Sequence, residues 1–169
     1  ILLAEVEAGE IEEIEYRLKR LRCLGVRGAT GTSDSFLKLF AGDGDKVSSL
    51  EEKVIAKAGL PLAFPVSGQT GPRKQESFVV SALAGVGVSA ARMSNDIRIL
   101  QGLSELEEPF EKSQVGSTAM PFKKNPMRSE RIAGLSRVLL VNALTPALTA
   151  AGQWFERTRD DSSALRIAV

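Results

Sequence analysis

The stretch KQESFVVSALAGVGVSAARMSNDIRIL, residues 74–100, decides the fold. Its middle, from Phe78 to Met93, is apolar or small nearly all round. A helix with that pattern has its place among other helices, so the sequence predicts a long buried helix over about 74–100. Gly85 and Gly87 would permit close helix approach, at some cost in helix propensity.

Upstream, Ile11, Ile14, Leu18 and Leu21 recur at spacings of three and four, which puts them on one helix face. Glu13 with Arg17, and Glu15 with Lys19, add pairs one turn apart, and Gly25 is a candidate stop. Residues 25–32, GVRGATGT, form a glycine-rich loop. It is neither a Walker loop nor a dinucleotide fingerprint, because it lacks Gly-Lys-Ser/Thr and follows a helical pattern. Ser33 or Asp34 can cap a short helix through Phe40. Gly42 to Asp45 reads as a turn without the rest of a calcium loop. A further helix is predicted from about Lys46 to Ala58, then a connecting loop from Pro61 to Pro72.

Downstream, Pro109 to Asn125 is irregular and longer than most loops in compact domains, and loops of this length are usually functional or disordered. Asn125 and Pro126 restart a helix as cap and first residue. Ile132, Leu135 and Leu139 then share a face, Thr145-Pro146 marks a kink or second start, and helix is predicted through the Trp154 region. There is no convincing run of alternating strand residues. The fold reading is all-α, a long-helix bundle, with residues 1–169 part of one domain. The chain opens at Ile1 without Met or signal-peptide features and closes inside a helical pattern. Both ends read as cut, so a larger protein is expected.

Composition narrows the function. The chain has 22 basic and 21 acidic residues, a net charge of +1, so nucleic acid is not the expected partner. No unbroken apolar run approaches the ~20 residues of a membrane span, so no membrane partner is expected. One cysteine, Cys23, excludes an internal disulfide and points to a reducing, cytoplasmic setting. Cys23 itself reads as a buried helix cysteine without an activated thiolate. Histidine is absent, which excludes a histidine metal site and a histidine acid or base within these residues.

Two stretches exceed what folding asks for. Residues 116–126, GSTAMPFKKNP, put small residues, amides, a hydroxyl, a cation and an amide side chain on one loop at a helix N-terminus. That environment suits developing negative charge. Further on, Ser162 and Arg166 are four apart on one helix face, with Arg157 just before. A hydroxyl and two guanidiniums at a helix start make a phosphate site in principle; capping and surface ion pairs explain the same residues equally well.

Residues 116–126 resemble the signature Gly-Ser-Ser-x-Met-Pro-x-Lys-x-Asn-Pro of the fumarase/aspartase superfamily, departing only at Thr118, which keeps a hydroxyl. The flanks MRSER (127–131), QWFERT (153–158) with Asp160-Asp161-Ser162, and Gly68-Gln69-Thr70 are similar to those of its adenylosuccinate lyase family. So are Gly28 to Thr32 and Glu107-Glu108-Pro109-Phe110. The resemblance implies the central helical domain of a three-domain subunit, with the N- and C-terminal domains outside this chain. It implies a homotetramer with active sites shared between subunits. It implies a nucleotide substrate, adenylosuccinate or the succinyl-carboxamide ribotide of purine synthesis, from which fumarate is eliminated. No cofactor or metal is implied.

Residue by residue, it implies Ser117 as the general base. Gln69, Thr118, Lys123, Asn125, Arg131, Arg157, Ser162 and Arg166 would contact substrate. Arg128 and Glu130 read as part of a charged network under the loop, with a supporting role in catalysis left open, and the loop over about 114–123 is expected to be mobile without ligand. A general acid would come from outside this chain. Another superfamily member, such as argininosuccinate lyase, or a non-catalytic helical assembly module stays open as an alternative.

Overall fold

A computed structural model describes residues 2–109, 119–120 and 122–154, with side chains from Ala8 onward. The predicted long helix is present as α4 (Lys74–Gly102), and at 29 residues it is the longest described element. Three helices lie against it: α1 (Leu2–Leu18), α5 (Met127–Asn142) and α6 (Leu144–Gly152). The all-α reading therefore holds.

Helix α5 runs antiparallel to α4. Gln101 near the end of α4 donates to the Lys124 carbonyl before α5, whereas Gly87, one-half of α4 away, faces Leu139 near the end of α5. The contact is made by small side chains. Val80, Ala84, Gly87 and Ser94 are buried on α4, and Ser129, Ala133 and Ser136 on α5. A Cβ placed on Gly87 would stand 3.1 Å from Leu139 Cδ2, while one on Gly85 meets nothing within 4 Å. Of the two glycines, Gly87 is the one the close approach needs.

Small residues at closest approach correct two expectations. Leu135, read as sharing an apolar face with Ile132 and Leu139, is 64% exposed, and the residues of α5 that are buried are Ser129, Ala133 and Ser136. The Phe78–Met93 stretch is not surrounded either. Phe78, Leu83, Val86 and Val88 are exposed, left uncovered by the described helices α1, α5 and α6 that pack on α4. By length and composition alone, α4 and the α5–α6 run are apolar enough to cross a membrane, with mean hydropathy 1.3 and 1.4. Continuous apolar runs missed this, because the small and polar residues within each helix interrupt the run without lowering its mean much.

The α5–α6 junction is the second start predicted at Thr145-Pro146. Ala143 keeps helical angles between the two helices, and Pro146 sits in the first turn of α6, where its missing N–H costs no hydrogen bond. Helix α6 stops at Gly152, and Gln153 is extended. Trp154 thus lies beyond the helix predicted to include it, and is largely exposed in this chain.

The N-terminal part departs more. Helix α1 ends at Leu18, not Gly25, although both predicted pairs form: Arg17 Nε to Glu13 Oε1 at 2.6 Å and Lys19 Nζ to Glu15 Oε2 at 3.3 Å. The chain then enters a two-residue strand, β1 (Arg22–Cys23). It pairs in parallel with β2 (Leu62–Ala63), Arg22 opposite Leu62 and Cys23 opposite Ala63. The Gln75 side chain holds Arg22 from the other side, accepting from its N–H at 2.9 Å and donating to its carbonyl at 3.0 Å. That long-range partner draws the chain out of the helix. Cys23 is therefore a half-buried strand residue and not a helix cysteine.

Between the strands lie α2 (Asp34–Leu39) and α3 (Gly44–Ala58). Ser33 occupies the cap position of α2 at φ 57°, but its hydroxyl donates to the Val26 carbonyl instead of capping. Helix α3 starts two residues earlier than predicted, because Asp43 in the expected turn accepts from the Lys46 N–H at 3.1 Å and caps it. Gly59 closes α3 at φ 68°.

Candidate active site

The described site residues fall into two groups at opposite ends of α4. Gln69 is in the loop before its first residue, and Lys123 and Asn125 lie beside its last turn, where Gln101 holds Lys124. At 1.5 Å per residue, the 28 residues from Lys74 to Gln101 span about 40 Å. Arg131 joins the second group, on the second turn of α5. Ser117, Thr118, Arg157, Ser162 and Arg166 lie outside the described residues, as does most of the loop expected to be mobile over 114–123.

The Gln69 loop is held by the glycine-rich loop. Gly31 has φ 77°, and a Cβ on it would come within 2.8 Å of backbone carbon atoms of Gly68. The Ser67 hydroxyl donates to the Leu24 carbonyl at 3.0 Å. The glycine-rich loop is itself fastened by Arg27, which donates to Glu51 Oε2 at 3.2 Å and the Phe64 carbonyl at 2.8 Å. Arg27 Nε lies 3.0 Å from Glu51 Oε1 without the alignment of a hydrogen bond, so that contact is one of charge only. On the far side of the loop, the Gln153 side chain accepts from Arg73 N–H at 3.0 Å and donates to the Gly71 carbonyl at 3.3 Å. This ties the end of α6 to the start of α4. A hollow of about 330 Å³ lies here, lined by Gly68, Thr70 and Gln153 among others.

At the other end, the head of α5 is not capped as the sequence suggests. Asn125 was expected at the cap position and Pro126 at the first helical one; Pro126 takes the cap position instead, with no side-chain bond. Glu108 does the capping. Its Oε2 accepts from Arg128 N–H at 3.1 Å and its Oε1 from Ser129 N–H at 2.9 Å, and the Ser129 hydroxyl donates to Oε1 in a short bond. These are the second and third helical amides, the ones an N-cap side chain normally serves. Sequence reading missed this role because Glu108 is twenty residues upstream, far outside any local capping pattern.

The clamp sets the charge state of Glu108. Partial burial alone would raise its carboxyl, but the bonds from Ser129 and Arg128, with the Arg128 charge, outweigh burial and bring it below the ordinary 4.5. A carboxyl lowered in the folded state stabilises the fold above its ordinary value. That contribution is lost as pH falls through the lowered value. The clamp also alters the expected electrostatics. The amides of Arg128 and Ser129 already face a carboxylate, so anion binding at this end falls to other groups.

Those groups are present. The side chains of Lys123, Asn125 and Arg131 make no hydrogen bond or ion pair among the described residues, and neither does Gln69. Because Glu108 caps α5, the Asn125 amide is not consumed by capping. Lys124, by contrast, is tied down, its Nζ 2.8 Å from Glu107 Oε1. Glu130 is exposed beside Pro126, and Arg128 meets Glu108 through its backbone N–H and its charge. Among the described residues, no group of three or more His, Cys, Asp or Glu side chains is arranged to hold a metal. An apolar groove of about 380 Å³ between α1 and the start of α4 contains none of the expected site residues.

Known proteins resemble this chain along most of its length. It is 51% identical over 156 residues to an adenylosuccinate lyase of Caenorhabditis briggsae, covering 92% of this chain and 32% of that protein. It is 49% identical over 145 residues to the adenylosuccinate lyase of Saccharomyces cerevisiae, covering 86% and 30%. With that of Schistosoma mansoni it shares 43% over 162 residues, 95% and 34%. The chain thus spans about a third of the length of these curated relatives. Residues 41–140, which contain α4, the head of α5 and the Glu108 clamp, match the sequence profile of the family described as Lyase, and the chain belongs to that family.

Proposed function

We propose that this chain is the central helical part of an adenylosuccinate lyase, with the N- and C-terminal domains of the subunit outside it. The observation that carries the reading is the head of α5: the signature motif leads into it, and the side chains of Lys123, Asn125 and Arg131 there make no hydrogen bond or ion pair among the described residues. The similarity to three adenylosuccinate lyases at 43–51% identity supports the same substrate.

Elimination breaks a C–N bond and a C–H bond and leaves fumarate and AMP. The hydrogen lies on the carbon next to a carboxylate, so negative charge spreads onto that carboxylate as the proton leaves. Ser117 takes the proton. A free hydroxyl is a weak base and needs a field that favours the alkoxide, which Lys123 supplies. Lys123, Asn125 and Thr118 bind the carboxylate more tightly as charge builds, and binding of that kind lowers the barrier. Arg131, Arg157, Ser162, Arg166 and Gln69 hold the rest of the substrate, the guanidiniums pairing with phosphate or carboxylate oxygens. The departing nitrogen also needs a proton. The resemblance implies a histidine as that acid, and this chain holds no histidine, so the acid in this mechanism comes from elsewhere in the protein.

Gln69 precedes the first residue of α4 and Lys123 lies beside its last turn, at opposite ends of a helix about 40 Å long, which supports sites shared between copies of the chain, because one helix cannot bring its two ends together. The homotetramer implied by the resemblance supplies such copies, and the exposed faces of α4 and α5 offer it apolar surface. The test is Ser117→Ala in the intact protein. Fumarate release from adenylosuccinate should fall by about 10³-fold or more, the scale of losing an activated group. Binding of AMP should persist. Turnover within tenfold of the parent removes Ser117 as the base.

A further inference from the structure

We infer that Glu108 is a positioning residue for the elimination, fixing the Lys123–Asn125 segment at the head of α5; the inference rests on the function proposed above. Three described contacts converge on that segment from the chain before the signature loop. Glu108 holds the first turn of α5 through Arg128 and Ser129. Gln101 on α4 donates to the Lys124 carbonyl at 2.9 Å and accepts from the Glu108 N–H at 3.2 Å. Glu107 pairs with Lys124 Nζ. Residues 107–108 are therefore bound to residues 124 and 128–129, and one amide side chain of α4 bridges both.

The consequence follows from the order of residues. Lys123 and Asn125 flank Lys124, whose carbonyl and ammonium are both held. Met127 N–H donates to the Asn125 carbonyl at 2.8 Å, so Asn125 is seated on the clamped turn. The neighbours carry the restraint and leave the two functional side chains open. A carboxylate suits this task because it has two oxygens, and here they accept from three donors. A glutamine has one acceptor oxygen, and its NH₂ would face a backbone N–H. Glu108→Gln therefore keeps the size and removes the grip.

The experiment compares the intact parent protein with Glu108→Gln and Ser129→Ala. Amide hydrogen exchange reports the positioning without needing turnover. Arg128 and Ser129 should exchange at least about tenfold faster in Glu108→Gln, while the amides of α5 beyond Arg131 keep their protection. In the same variant, kcat for fumarate release should fall by about 10–10²-fold with KM within about threefold, since a small misplacement of a charge-binding group costs rate more than affinity. Ser129→Ala removes one donor and keeps both amides, so its loss should be smaller. A parent that releases no fumarate from adenylosuccinate defeats the proposed function, and the exchange result then decides the positioning alone. Unchanged exchange at Arg128 and Ser129, or kcat within twofold of the parent in Glu108→Gln, overturns this inference.

Discussion

At the residue scale, single long-range partners set the local structure. Gly31 is one case. Its φ of 77° suits glycine, and its open Cα lets the Ser67–Gly68 backbone come against it. Gly31→Ala meets both obstacles at once, and should cost about 1–3 kcal/mol by strain and displacement. Because Gln69 is next to Gly68, the variant should also weaken substrate binding. A rise in KM with a lowered unfolding midpoint is the expected pair of readings, and an unchanged midpoint speaks against the contact. These partners were not legible in the sequence. The Asp43 cap, only three residues from Lys46, is within reach of the helix-capping rules but reads in the sequence as part of a turn. Those rules pass over Glu108 and Gln75, whose backbone partners lie 20 and 53 residues distant. The departure of α1 at Leu18 and the strand at Cys23 have the same origin.

At the element scale, periodicity read well and burial less so. The extent of α4 was predictable to within two residues, since an apolar, proline-free stretch leaves few alternatives. Which of its sides is covered depends on what lies across from it, and one sequence does not contain that. Gly85 and Gly87 are equal in the sequence and unequal in the fold. Gly85→Ala should raise helix stability by about 0.5–1 kcal/mol, because nothing opposes the new methyl group. Gly87→Val should lower stability by about 1–3 kcal/mol through overpacking against Leu139. Thermal unfolding of the two variants, measured side by side, checks the contrast; equal shifts would mean that α4 and α5 do not meet at Gly87.

At the scale of the whole molecule, the described site residues divide into those at either end of α4. The sequence motif identified Lys123 and Asn125 together because they are neighbours in the chain. It gave no hint that Gln69 stands at the other end of a helix about 40 Å long, since length along a helix becomes visible only when the helix is built. Two defective forms should then repair one another. A Gln69→Ala protein and a Lys123→Ala protein, each nearly inactive, should recover activity after being unfolded and refolded together. A site built from different copies can draw an intact Gln69 from one and an intact Lys123 from the other. Fumarate release by the mixture, against each variant refolded alone, is the measurement. A mixture no more active than its parts would place every site within a single copy.

The length of α4 then acts as a ruler. A substitution on its exposed face changes one side chain and leaves the spacing between its ends alone. Removing a single residue shortens it by about 1.5 Å and turns one end against the other by about 100°. The Gln101 amide would swing away from Lys124, and the groups at the two ends would lose their common alignment. Within this helix, residue number is a stricter constraint than residue identity, so change by exchange of side chains is open where change by insertion or deletion is closed.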